Sequence, residues 1–105
     1  MPKFMYKVSY SQDGLKGTLA EGFAKREAYL RELISSMGAT LDAVYWALGD
    51  DDAYVILDGP RANIIAGSLA ASLGGVGKIS TVSLLTAADM DEAASKLPNY
   101  RAPGN

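Results

Sequence analysis

Cysteine and histidine are both missing from this 105-residue sequence. Their absence excludes disulfides, thiolate nucleophiles, Cys/His zinc sites, a His-ligated haem and a histidine general base. Long apolar runs are missing too. Nothing approaches the roughly 18 residues of a membrane-spanning helix, and no signal-peptide pattern opens the sequence. The expectation is a cytoplasmic protein that does not enter the membrane. An excess of positive charge is the third absence. Ten Lys and Arg face 12 Asp and Glu, for a net charge of -2. Nucleic acid, which selects strongly basic partners, is therefore not expected. Chemistry is left to Asp, Glu, Lys, Arg, Tyr, Ser and Thr, and neither a metal nor a cofactor is expected.

What is present is an ordinary globular composition, 49% hydrophobic and 21% charged, at the size of one domain. Phe4, Tyr6, Val8 and Tyr10 alternate with Met5, Lys7 and Ser9, and that period of two predicts a strand. Gly14, Gly17 and Gly22 then interrupt any long helix, leaving a short helical turn over Gln12 to Ala20. Phe23 to Met37 reads as the first full helix, with Phe23, Leu30, Leu33, Ile34 and Met37 at helical spacing and Gly38 as its stop. Leu41 to Leu48 and Ala53 to Leu57 read as a hairpin around the turn Gly49-Asp50-Asp51-Asp52.

Gly59-Pro60 opens a second helix, whose apolar stripe is expected to be Ala62, Ile65, Ala66, Leu69, Ala70 and Leu73. Lys78 to Leu85 is the fourth strand. Thr86-Ala87-Ala88-Asp89 resembles a capping box opening a third helix, which stops at Pro98. The domain is expected to span residues 1–97, followed by a tail over 98–105.

This order, β-α-β-β-α-β plus a helix, is the ferredoxin-like arrangement of the α+β class, with both main helices on one face of a four-stranded antiparallel sheet. The first strand is then central, with Phe4, Tyr6 and Val8 towards the helices. The second strand alternates Leu41, Ala43, Tyr45, Ala47 with Asp42, Val44, Trp46, Leu48, and both sets are bulky and apolar. Apolarity on both sides predicts that the second sheet face is also covered. No segment remains to cover it, so a homodimer or higher homo-oligomer with sheets face to face is expected.

The stretch Ser9-Tyr10-Ser11-Gln12-Asp13-Gly14-Leu15-Lys16-Gly17 resembles the S-Y-T-x-x-G-x-x-G segment of the GYD domain family. Glu21-Gly22, Arg26 and the helix ending at Gly38 continue the likeness. Gly49 and Asp52 fall on the family's Gly-x-Tyr-Asp signature, and Leu84 to Met90 resembles its L-L-T-P-E-E-M ending. The resemblance covers nearly the whole chain and implies a dimeric α/β barrel. It implies no activity. Asp51 stands where the signature has tyrosine, with Tyr54 or Tyr45 near enough to substitute.

Several side chains invite a functional reading, each beside a plainer one. Asp50, Asp51 and Asp52 form either a hard-cation site or a solvated turn. Lys7, placed in the dimer interior, is either an anion-binding amine or the partner of Asp42, Asp52 or Asp58. Tyr6, Tyr10, Tyr45 and Trp46, with Arg26, line either a pocket for a planar or apolar small molecule or a core and dimer interface. Gly14, Gly17 and Gly22 do not have phosphate-loop spacing. Three function classes remain open: a binding protein for a small apolar or aromatic ligand, a cofactor-independent oxygenase or isomerase of the dimeric-barrel type using Tyr10, Lys7, Arg26 or Asp52, and a protein–protein interaction module.

Overall fold

The computed structural model describes residues 2–105. Its elements run β1 (Lys3–Tyr10), α1 (Gln12–Glu21), α2 (Phe23–Ser36), β2 (Thr40–Trp46), β3 (Ala53–Asp58), α3 (Arg61–Leu73), β4 (Gly77–Leu84) and α4 (Ala87–Ala94). The four strands make one antiparallel sheet in the order β2-β3-β1-β4. This is the α+β, ferredoxin-like order, with β1 central.

One face of the sheet is the core. Phe4, Tyr6 and Val8 of β1 align with Leu57, Val55 and Ala53 of β3, and all six are buried. Ile34 of α2 and Ile64 of α3 close over them, and with Leu57 they are the most deeply buried side chains. Each such burial contributes about 1.5–3 kcal/mol.

The first connection holds more helix than the glycines promise. Instead of one turn, α1 is a ten-residue helix. Ser11 caps it by accepting a hydrogen bond from the Gly14 N–H, and the Thr18 hydroxyl donates to the Gly14 carbonyl at 2.8 Å. Gly22, at φ 99°, then turns the chain into α2.

Two face assignments change. A bulge between Leu41 and Ala43 inserts Asp42 as an extra residue in β2, which reverses the alternation beyond it. Leu41, Val44 and Trp46 therefore all lie on the helix side, and Ala43 and Tyr45 on the open side. Much of the two-sided apolarity of this strand comes from reading through the bulge. In α3 the expected inner stripe points outwards: Ile65, Leu69 and Leu73 are exposed. The inner side is Ile64 with Gly67 and Ala71. This helix is apolar nearly all round, so its pattern has no phase to read. Small residues that allow close approach decide which side faces the sheet.

The open face carries Met5, Lys7 and Ser9, all half-buried. A row of aligned residues, Ala43, Ile56, Met5 and Val82, crosses it from β2 to β4. Beyond β4 every residue from Leu85 to Asn105 is exposed. The radius of gyration is 16.9 Å and the long axis 57 Å, against about 13 Å for the radius of gyration of a compact chain of this size. No helix is long and apolar enough to cross a membrane among the described residues.

Candidate functional site

In the core, α2 rests on β2 while α3 rests on β4, and a cavity of about 70 Å³ remains between the helices and the sheet. Its floor is Tyr6, Val8 and Tyr10 of β1 with Trp46 of β2. Its walls include Leu30 and Met37 of α2 and Gly67 and Ala71 of α3.

Gly67 sets the shape on the α3 side. A Cβ there would lie 2.8 Å from the Tyr6 hydroxyl oxygen and closer still to the Met37 methyl. Glycine in a helix interior costs about 1 kcal/mol relative to alanine, so its use here marks a close approach. A lone glycine inside a helical run is the sign of it in the sequence.

The polar groups of the cavity are few. The Tyr6 hydroxyl donates to the Ile64 carbonyl, and burial pushes its pKa up to about 12, so it stays protonated. The Trp46 indole N–H donates to the Tyr10 hydroxyl at 2.9 Å. A hydroxyl offers one donor and two acceptor sites, so this bond leaves the Tyr10 proton free to be donated elsewhere. Phe23 meets Trp46 edge to face, with ring centroids 5.2 Å apart.

Arg26 stands at the rim, 3.8 Å from the Glu21 carboxylate and 5.0 Å from the centre of the Tyr29 ring. It also lines a second, more open groove of about 420 Å³ with Gly14, Gly17, Gly74 and Gly75. Four of the five ligand candidates, Tyr6, Tyr10, Arg26 and Trp46, thus meet at one cavity. Tyr45 does not. It lies on the opposite face, 64% exposed beside Tyr54. Adjacent residues of a strand point to opposite faces, so Tyr45 and Trp46 do not share a pocket.

The Gly49–Asp52 turn has structural work. The Asp52 carboxylate accepts a hydrogen bond from the Tyr10 N–H at 2.8 Å. The Asp52 N–H donates to the Val8 carbonyl, and its own carbonyl accepts from Ala47. Asp52 therefore ties the hairpin to the end of β1, where Tyr10 enters the cavity. Gly49 sits exposed in the turn. Asp51, at the signature tyrosine position, accepts from the Ser9 hydroxyl and stands 3.9 Å from the Lys7 ammonium. Lys7 thus pairs with Asp51 rather than with Asp42, Asp52 or Asp58. Asp42 and Asp58 flank Lys3 instead. No cluster of three carboxylates able to hold a metal forms among the described residues.

The groups that acid–base chemistry would need are divided. Tyr10 and Arg26 border the cavity, Lys7 lies across the sheet, and Asp52 is engaged with the backbone. What the cavity can do chemically is hold an apolar group, orient it through the Tyr10 hydroxyl and meet a negative charge with Arg26.

No curated protein and no solved structure matches this chain. The GYD domain family model matches residues 4–94, most of the chain, which therefore belongs to the GYD domain family.

Proposed function

We propose that this GYD domain protein is a homo-oligomeric binding protein that takes a small apolar or aromatic molecule between its sheet and helices. The observation that carries the reading is the convergence of Tyr10, Trp46 and Arg26 on an otherwise apolar cavity. Sites for small molecules commonly combine an apolar lining with a few placed polar groups. Trp46 and the Leu30 side offer the apolar contact. Tyr10 offers a hydrogen bond, and Arg26, freed from Glu21, offers a positive charge.

Size sets the entry step. About 70 Å³ holds only part of a ring, whereas a dry cavity of about 150 Å³ accepts benzene. Ligand entry thus requires α2 and α3 to part. The two helices rest on different strands, so they can separate without breaking the sheet. The second element of the reading is a homodimer that covers the open face. It is supported by the half-buried row Ala43, Ile56, Met5 and Val82, which a lone chain leaves against water.

The test is a titration with toluene and benzoate, followed by fluorescence of Trp46, the only tryptophan. Saturable change is expected for at least one probe, and its loss in Ala71→Leu, which fills the cavity from α3. A response that is linear, or unchanged in Ala71→Leu, would remove the cavity from consideration. Light scattering reports the dimer in the same samples, and a monomer at all concentrations would remove that element.

A further inference from the structure

The cavity between sheet and helices has charge and spare hydrogen-bond donors of one sign only. Its polar side chains are Tyr6, Tyr10, Trp46 and Arg26, with no carboxylate, amide or aliphatic hydroxyl among the lining groups. The Tyr6 proton is spent on the Ile64 carbonyl and the Trp46 N–H on Tyr10. The donors left over are the Tyr10 hydroxyl and the Arg26 guanidinium, which has five N–H groups and no acceptor. The one formal charge on the lining is therefore positive.

The negative charges nearby are kept outside. Arg26 and Val76 line both the cavity and the open groove beside it, whereas Asp13 and Glu21 line only the groove. Arg26 thus forms part of the partition between an apolar space without an anion and a solvent-facing space with two carboxylates. Glu21 ends α1 and Arg26 lies in the first turn of α2. Their contact, at 3.8 Å with both side chains partly exposed, is an ion pair too long to be a hydrogen bond, and such pairs are weak. A carboxylate that meets the planar guanidinium fork squarely makes two parallel hydrogen bonds and holds it more strongly.

We infer that the ligand is a small apolar or aromatic carboxylate, held by Arg26 at its charged end and by Trp46 along its apolar body, and that Glu21 is the internal competitor it displaces. The inference rests on the binding role proposed above and adds the charge of the ligand and the residue that opposes it. A carboxylate leaving water needs a partner for its charge, and Arg26 is the cation that borders the cavity. A neutral ring has no charge with which to draw Arg26 from Glu21, and an ammonium meets a like charge there. Glu21 therefore acts as a filter, because only an anion replaces what Arg26 loses when the pair opens. The released Glu21 side chain, already 37% exposed, passes into solvent.

The test measures the affinities of toluene, benzoate and benzylamine for the full chain through the Trp46 indole N–H signal. Benzoate is expected to bind best and benzylamine worst. The ratio of benzoate to toluene affinity corrects each variant for changes in cavity shape, and circular dichroism is expected to show the variants folded. Arg26→Gln should lower that ratio about tenfold, as the loss of a hydrogen bond to a charged group does. Glu21→Gln should raise it about two- to fivefold, as removal of a partly exposed competing pair allows. Toluene binding as well as benzoate, or benzylamine binding better, would overturn the carboxylate while sparing the cavity. A ratio that Arg26→Gln leaves unchanged would do the same. An unchanged or lowered ratio in Glu21→Gln would overturn the competitor role. Saturation by none of the three probes would overturn this inference and the binding role together.

Discussion

The two faces of this sheet are built from the same strands and differ in how complete they are. On the helix side, Leu57 is fully buried and Val55 is 4% exposed. On the open side, Tyr54 and Ile56, their immediate neighbours in β3, remain half-buried. The first face is a finished core with one cavity, while the second lacks a cover. The difference separates a face that one chain closes for itself from one that it leaves open.

The largest expected effect comes from truncating the finished side. Leu57→Ala should cost about 2–5 kcal/mol in chemical denaturation, the range for a buried leucine. Ile56→Ala, one residue away, should cost far less at high dilution. Its cost should rise with protein concentration if a second copy covers it, and a concentration-independent cost would break the comparison.

Next comes the tie between hairpin and β1. Asp52→Ala leaves the Tyr10 N–H without its carboxylate and should cost about 1.5–3 kcal/mol, as hydrogen bonds to charged groups do. Asp51→Ala removes a long pair with a partly exposed Lys7 and a half-buried hydrogen bond from the Ser9 hydroxyl, and should cost less, within about 1.5 kcal/mol. Equal costs would show that the two signature positions do not divide as described.

Gly67→Ala should destabilise by about 1–3 kcal/mol through overpacking against Met37 and Tyr6, although alanine is the better helix former. A stabilised variant would show that α3 has room to move away.

At Tyr6 the expected effect is small at neutral pH and depends on pH. Its folded-state pKa, about 12 against an ordinary 10.0, means that the native chain holds this proton more tightly than the unfolded one. The associated stability is complete below pH 10 and falls as pH rises from about 10 to 12. Tyr6→Phe should cost about 1 kcal/mol at neutral pH and flatten the alkaline loss. An unchanged alkaline profile would place the titration elsewhere.

The sequence exposed much of this fold because alternation in β1, the Gly38 stop and the Thr86–Asp89 box are local signals. It exposed less where one residue shifts a phase. No residue type marks the bulge at Asp42, so Leu41 and Trp46 look like opposite faces and Tyr45 looks available to the cavity. The outward turn of Ile65, Leu69 and Leu73 escaped for a related reason: an apolar helix is oriented by where it can come close, which depends on Gly67 and its neighbours in space. Lys7 found Asp51 because the hairpin folds back over the end of β1, a tertiary event. The identity of Tyr6, Tyr10, Arg26 and Trp46 as neighbours could be guessed from strand and helix phase, but the cavity between them could not.

The most direct test of the central claim is the indole N–H resonance of Trp46, a single peak in a chain with one tryptophan. It donates to Tyr10 at the cavity floor. Titration with benzoate or toluene should move this peak together with the amides of Gly67 and Ala71, reaching saturation. A peak that stays fixed, while shifts appear only on the open sheet face or nowhere, would contradict binding between the sheet and the helices.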